Sequence, residues 1–324
     1  MRLVLLFSFL LFSPLSLARP QGPSRARPSD STKVPLSVLE KADLSQQKLS
    51  SQLARLSRNI DSFFGEERVD EESKSKSRIR INLISTLTDG EGDSYDANIR
   101  TRIALPNTER RLNLVVQNIS RSFSEDEEGG QSSNLGQSVD NEDLGAALRY
   151  QPETEKDWSL GTDAGIKLVS PPDPFLRFRM RRTWWPGSWE IRATETVFWF
   201  KSEGYGHTES LEFDYPLSLS FLFRFANQAS WRKNDLEYRF DNTLNLFQRV
   251  SDRLAIAYTA GMHGRDVPAV AVDSYSFGVN FRRRIHKDWL FFNIKPGGFW
   301  PREENFTYVA SISFKLEVMI GQVE

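Results

Sequence analysis

The stretch FTYVASISFKLEVMI, residues 306–320, sets a strict limit on what this chain can fold into. Every even position in it is apolar, while the odd positions include Lys315 and Glu317. Side chains leave a β-strand alternately on its two faces, so a period of two predicts a strand with one apolar face. Strands in soluble sheets usually have about 5 to 6 residues. A strand of this length therefore needs an extended apolar environment.

The same alternation recurs from residue 77 to the end of the chain. Turn residues separate successive runs of about 10 to 15 residues, the spacing expected of consecutive strands. The predicted strands cover 77–88, 95–106, 111–120, 144–151, 158–168, 174–183, 189–201, 206–217, 220–231, 236–249, 253–263, 273–286, 289–300 and 306–320. Glu195 falls on the apolar phase of its strand, and we expect a β-bulge or an error of register there.

The tryptophans test this arrangement independently, because tryptophan prefers the boundary between membrane and water. All eight fall at predicted strand ends. One group lies beside tight connections and the other beside longer ones: Trp158, Trp184, Trp185, Trp189 and Trp289, against Trp199, Trp231 and Trp300. At a tilt of about 40°, the spans from Trp189 to Trp199 and from Trp289 to Trp300 rise roughly 25 to 28 Å, which matches the apolar band of an outer-membrane barrel. These residues predict two aromatic girdles.

Alternation and girdles together predict an all-β fold. We expect a transmembrane antiparallel up-and-down β-barrel over residues 77–324, with about 14 strands and between about 12 and 16. Connections such as 185–188 and 250–252 are tight, whereas 121–143, 201–207 and 264–272 are longer. We therefore expect short turns at a periplasmic rim and longer loops at the outer rim.

The first 76 residues have a different character. Residues 1–18 are predicted to be a signal peptide, because a short apolar run precedes a small-x-small site; an N-terminal membrane anchor is the alternative. Residues 19–76 are predicted to hang in the periplasm or to plug the lumen. They include an amphipathic helix over 44–64 and the acidic linker EERVDEE. The apolar stripe of that helix, a candidate contact for a periplasmic protein, is Leu49, Leu53, Leu56, Ile60 and Phe63.

On these residues the chain resembles Gram-negative outer-membrane β-barrel proteins. More narrowly, it resembles uncharacterised proteobacterial barrels in which an N-terminal amphipathic helix ends in an aromatic–glycine pair, here Phe63-Phe64-Gly65, before the first strand. The chain departs from the common barrel ending of Phe or Trp, since it ends at Glu324. The resemblance implies location in the outer membrane of a Gram-negative bacterium and supplies no site residues.

Composition excludes several kinds of chemistry. The chain has no cysteine and only three histidines, which argues against a transition-metal site, and no cofactor is expected. A net charge of −1 gives no field for nucleic acid. His263 precedes Asp266 and Asp273, so a hydrolase at the rim is kept as a third option. The prediction is nevertheless that the protein is not an enzyme.

The polar phases of the strands carry more basic than acidic residues. The inward positions predicted to form a basic wall are Arg78, Arg80, Arg100, Arg102, Arg177, Arg179, Arg181, Arg192, Arg224, Arg239, Arg282, Arg284, Lys295 and Lys315, joined by Arg149 and Lys167. The inward acids are Asp163, Glu212, Asp214, Glu237, Asp241 and Glu317. Such a wall is either a packed network that holds the barrel in shape or a path for anionic solutes.

Three functions follow as expectations. The first is a narrow or gated channel or transporter with a basic lumen that favours anionic small solutes, because about 14 strands fall between filled small barrels and open porins. The second is a structural or assembly protein that binds a periplasmic partner through helix 44–64. The third is an enzyme at the rim. Outer-membrane lipid is a partner in all three.

Overall fold

The fold is described here from a computed structural model, for residues 60, 63–64, 77–90, 92–105, 111–118, 144–154 and 157–321. All of them belong to one compact unit, Ser45–Glu324. The predicted signal peptide, most of helix 44–64 and the acidic linker lie outside these residues. No helix in the described part of the chain is both long and apolar enough to cross a membrane.

The described residues form fourteen strands. These are β1 (Arg78–Thr88), β2 (Gly92–Ala104), β3 (Leu112–Asn118), β4 (Leu144–Tyr150), β5 (Trp158–Lys167), β6 (Asp173–Trp184), β7 (Glu190–Phe200), β8 (Gly204–Pro216), β9 (Phe221–Arg232), β10 (Tyr238–Arg249), β11 (Leu254–Arg265), β12 (Ala271–His286), β13 (Leu290–Pro301) and β14 (Val309–Gly321). Each predicted strand corresponds to one of them.

The strands close into a barrel. Each strand pairs antiparallel with its neighbours in the chain, and β1 pairs with β14 from Arg78↔Gly321 to Thr88↔Ser311. Closure gives every strand a neighbour on both sides, which a wall surrounded by lipid requires. The predicted antiparallel up-and-down barrel is therefore confirmed.

The last strand begins later than its apolar alternation suggests. Residues Arg302–Glu304 form a 3₁₀ turn, and Asn305 and Phe306 then take positive φ angles of 54° and 56°. This left-handed backbone ends the extended conformation, so β14 starts at Val309. Phe306 and Tyr308 continue the alternation in sequence but lie in the connection between β13 and β14.

The two rims differ less than expected in the length of their connections. The predicted long connections 201–207 and 264–272 shrink to 201–203 and 266–270, because β8 starts at Gly204, β11 runs to Arg265 and β12 starts at Ala271. The expectation of longer loops is wrong at these two places. The connection between β3 and β4, which spans 119–143, lies outside the described residues.

Burial in the barrel wall is the opposite of that in a soluble protein, where apolar side chains are buried and charged ones are exposed. Large apolar side chains are exposed on its outer face, and arginines are buried on its inner face. On β6, Leu176 and Phe178 are 54% and 44% exposed, whereas the alternate residues Arg177, Arg179 and Arg181 are 4–6% exposed. A predominantly apolar exterior is the surface that a hydrocarbon environment selects.

No bulge is present at Glu195, so that expectation is wrong. The β7–β8 register runs without interruption from Glu190↔Asp214 to Phe200↔Gly204, and it places Glu195 opposite Glu209. Both glutamates lie on the outward phase of their strands. Register shifts occur instead at His263/Gly264, between β11 and β12, and at Arg284/His286, between β12 and β13.

Candidate functional site in the lumen

The strands carry every residue of the predicted basic wall on the phase that turns toward the lumen. Most of these side chains are buried, and Arg192, Arg224 and Arg282 are among the largest side chains with less than 2% exposure. Arg239 is the exception, because it lies at the rim with an exposed side chain that pairs with Glu237 at 2.9 Å. The buried arginines are organised around carboxylates in three clusters.

The first cluster joins β4, β5 and β6 at Asp163. Arg149 donates Nε–H and Nη2–H to its two carboxylate oxygens at 2.9 and 3.0 Å. Arg177 donates from Nε to the same carboxylate at 3.0 Å and also pairs with it through Nη2. Charge-assisted bonds of this bidentate kind fix side chains firmly. One carboxylate is thus shared by two guanidinium groups.

The second cluster joins β7, β8 and β9 and is richer in acids. Arg192 approaches Glu212 at 2.5 Å, Asp214 at 3.4 Å and Glu190 at 3.6 Å. Arg224 donates to both oxygens of Asp214 at 2.7 Å. Two guanidinium groups meet three carboxylates here. This sector of the wall is therefore not the most basic one.

The third cluster joins β12, β14 and β1 at Glu317. Arg282 donates two bonds to its carboxylate at 2.9 and 2.8 Å, across the intervening strand β13. Arg80 and Lys315 lie 3.7 and 3.8 Å from the same carboxylate. Three cations surround one anion, which makes this the most basic of the three clusters.

The arginine row on β6 is held from its neighbours. Arg177 pairs with Asp163, and Arg181 donates from Nε to the Thr194 hydroxyl at 3.1 Å. Arg179 lines, with Arg177 and Asp163, a cavity of about 10 Å³. A volume of roughly 10–15 Å³ holds a single water molecule, so this cavity has about the size of one water.

Residues that precede the barrel also lie in the lumen. Ile60 and Phe64 are 2% and 1% exposed and pack on Leu222 and Phe247 of the inner wall. Their contacts lie near the ends of β9 and β10 that adjoin the tight turns 217–220 and 250–253. Ile60 and Phe64 therefore lie on the inner wall near the rim assigned to the periplasm.

The neighbouring Phe63 ties this segment to the third cluster. Its carbonyl oxygen accepts a bond from Nε of Arg282 at 2.5 Å, and its ring lies 5.8 Å from that of Phe291. The guanidinium group of Arg284 lies 5.7 Å from the Phe63 ring. Ile60 and Phe63 thus contact the barrel, whereas Leu49, Leu53 and Leu56 of the predicted stripe lie outside the described residues.

Two acids that open strands on the inward phase were missed in the sequence. Glu190 opens β7 beside Arg192, and Asp173 opens β6. Asp173 accepts a bond from the Ser202 backbone N–H at 3.0 Å and one from its hydroxyl. The alternation extended by one residue would have placed Asp173 inward.

The tryptophans lie on the outer face or in the turns that border it. Trp158, Trp184, Trp199, Trp231 and Trp300 are on outward strand positions, and Trp185, Trp189 and Trp289 are in connections. Aromatic contacts link neighbours within each rim, such as Trp189–Tyr215 at 4.8 Å and Trp300–Tyr308 at 5.1 Å.

The histidines do not form the cluster considered from the sequence. His263 Nδ1 pairs with Asp241 of β10. Asp266 instead accepts a bond from the Tyr238 N–H at 2.7 Å, and Asp273 pairs with Arg265 at 2.9 Å. His207 points outward and stacks on Trp231 with 6.0 Å between ring centroids. In the part of the chain described, no group of three or more His, Cys, Asp and Glu side chains is arranged to hold a metal ion.

Comparison with known proteins gives structural likeness only. No protein-family model and no curated protein matches the sequence. Among solved structures, the chain is similar to OprB of Pseudomonas putida, with 6% identity, a TM-score of 0.49 and coverage of 78% of this chain and 96% of that one. A bacterial polysaccharide outer membrane secretin has 12% identity and a TM-score of 0.47, with coverage of 75% of this chain and 98% of that one. The outer membrane channel DcaP of Acinetobacter baumannii has 10% identity and a TM-score of 0.41, with coverage of 76% of this chain and 96% of that one.

Proposed function

We propose that the protein is a channel in the outer membrane of a Gram-negative bacterium, closed at rest by its own N-terminal segment and selective for small anionic solutes. The observation that carries this proposal is the seating of Ile60, Phe63 and Phe64 inside the barrel. Apolar residues that pack on the inner wall near one rim are suited to closing a path.

Location in the outer membrane is supported by the outer face of the wall. Apolar side chains cover most of it, aromatic residues border it at both rims, and every strand has a neighbour on both sides in the closed barrel. Barrels of this construction span membranes because the hydrocarbon interior supplies no hydrogen-bonding partner.

Preference for anions is supported by the arrangement around Asp163 and Glu317. Two cations share the first carboxylate and three share the second, so the wall from β4 to β6 and from β12 to β1 carries excess positive charge. In a narrow lumen with walls of low dielectric, excess charge attracts ions of opposite sign.

The plug is tested by conductance of purified protein in planar lipid bilayers. Deleting residues 19–72 removes the docked segment, and we expect conductance to rise several-fold. The matched control deletes residues 19–43, which leaves the docked residues in place and should leave conductance unchanged. Both variants must keep heat-modifiable gel migration, the sign of a folded barrel. Equal, low conductance in all three proteins would contradict the plug.

Selectivity is tested on the arginine row. Replacing Arg177, Arg179 and Arg181 together by Gln removes three positive charges and leaves Arg149 to hold Asp163. In the variant without the plug, we expect the reversal potential in a salt gradient to shift toward cations. Arg182→Gln is the control, since Arg182 lies on the same strand with its guanidinium group outside, 5.0 Å from the Trp158 and Trp184 rings. An anion path along this row would be refuted if the reversal potential shifted equally in the triple variant and in Arg182→Gln. It would also be refuted if the reversal potential shifted in neither variant.

A structural role is the second candidate, and the close packing of Arg149, Asp163 and Arg177 favours it. A lumen held permanently shut by such a network conducts in neither the full-length nor the deleted protein. The bilayer experiment therefore separates the two candidates directly.

A further inference from the structure

Three side chains on the inner wall form a chain of contacts that the channel proposal does not use. They are Asp241 on β10, His263 on β11 and Ser276 on β12, three adjacent strands. His263 Nδ1 pairs with the Asp241 carboxylate, and His263 Nε2 lies 3.4 Å from the Ser276 hydroxyl oxygen. The histidine and aspartate side chains are 17% and 37% exposed, whereas Ser276 is buried at 5%.

The order of these contacts is that of an activated serine nucleophile. In such a site the carboxylate holds one ring nitrogen of the histidine, and the other nitrogen takes the serine proton. Each ring nitrogen of His263 has the partner that this role requires. We propose that Ser276, His263 and Asp241 form a nucleophilic site that hydrolyses carboxylic esters, an activity beyond the proposed channel.

Glycines lie beside Ser276 on the inner wall. Gly261 lies directly opposite Ser276 on β11, and Gly278 and Gly297 form the next pair along β12 and β13. None of these positions puts a side chain into the lumen, whereas Phe299, opposite Ser276 on β13, adds an apolar ring. This combination fits an ester with an extended apolar acyl chain.

The strand geometry at His263 departs from the regular ladder. The β11–β12 register shifts between His263 and Gly264, so His263 pairs with Ser274 while Gly264 pairs with Val272. Bulges are frequent beside active sites because they re-aim a side chain. Here the shift accompanies contact of His263 with Ser276, two residues beyond its register partner.

The reaction balances without any further reagent. The Ser276 oxygen attacks the ester carbonyl carbon while His263 Nε2 takes the hydroxyl proton, and Asp241 stabilises the resulting imidazolium. The bond from the acyl carbon to the alkoxy oxygen breaks, and the leaving alkoxide takes the proton from Nε2. Water then attacks the acyl-serine with the same proton transfer, which releases the carboxylic acid and restores Ser276.

The test uses folded, full-length protein in detergent and a fluorophosphonate probe, with the adduct located by mass spectrometry. We expect the probe to bond to Ser276, and Ser276→Ala to abolish labelling. His263→Ala should slow labelling by about 10² or more, the usual contribution of a general base. Added imidazole should restore part of the lost rate, which a merely structural histidine would not allow.

The matched control is Ser274→Ala, on the same strand and face and in register with His263. It should label at the rate of the unaltered protein. Absence of an adduct on Ser276 in protein that keeps heat-modifiable migration would overturn the proposal. Labelling that His263→Ala leaves unchanged, or that Ser274→Ala lowers equally, would also overturn it.

Discussion

The inner and outer faces of the same strands differ in which side chains they carry and in how far these are exposed. On β14, the inward Glu317 is 1% exposed and shared by three cations, while the outward Ile320 is 52% exposed and apolar. On β7, however, the outward face carries Glu195, opposite Glu209 of β8. The difference teaches that a carboxylate is tolerated in this wall according to what surrounds it. Removing one should therefore have opposite effects on the two faces.

The largest effect is expected on the inner face. Glu317→Ala leaves Arg282 buried without its carboxylate, and removing one partner of a buried ion pair costs about 3–5 kcal/mol. Asp288→Ala is the comparison, since it breaks the exposed Arg284–Asp288 pair, worth about 0–1 kcal/mol. Urea unfolding of both variants in lipid vesicles measures the two free energies. Similar losses would mean that burial does not control the strength of these pairs.

A smaller change of opposite sign is expected on the outer face. Replacing Glu195 and Glu209 together by Leu should raise the free energy of unfolding, by no more than about 2–4 kcal/mol, the cost of a basic residue facing lipid at mid-membrane. The pair lies between the rims, since Glu195 is on the strand that joins Trp189 to Trp199. Unfolding in the same vesicles provides the measurement. A loss of stability would show that something other than lipid covers this part of the wall.

The smallest effect concerns the aromatic border. Arg182 lies 5.0 Å from the rings of both Trp158 and Trp184 on the outer face. A cation over an aromatic ring contributes about 0.5–1 kcal/mol at an exposed site. Arg182→Gln should therefore lower the unfolding free energy by roughly 1–2 kcal/mol, while Arg182→Lys should keep part of it. Equal values for Gln and Lys would exclude the cation–ring contribution.

Most strands of the barrel could be predicted from the sequence because the pattern that marks a strand lies in consecutive residues. A period of two fixes which residues share a face, and this identified every described strand to within three residues at each end. The errors arose where the backbone overrode the pattern. At 305–306 positive φ angles end the alternation. At Glu195 a polar residue keeps the regular register that its apolar neighbours set.

The contacts between side chains inside the lumen could be identified only from the tertiary structure. Arg282 meets Glu317 across an intervening strand, His263 meets Asp241 and Ser276, and Phe63 meets Arg282 from outside the barrel sequence. Alternation places each of these side chains on a face but cannot say which one lies beside it. That depends on register, strand tilt and closure, which are properties of the whole sheet. The sequence by itself thus determined the strands and their two faces, whereas only the closed barrel decided which charges meet inside it.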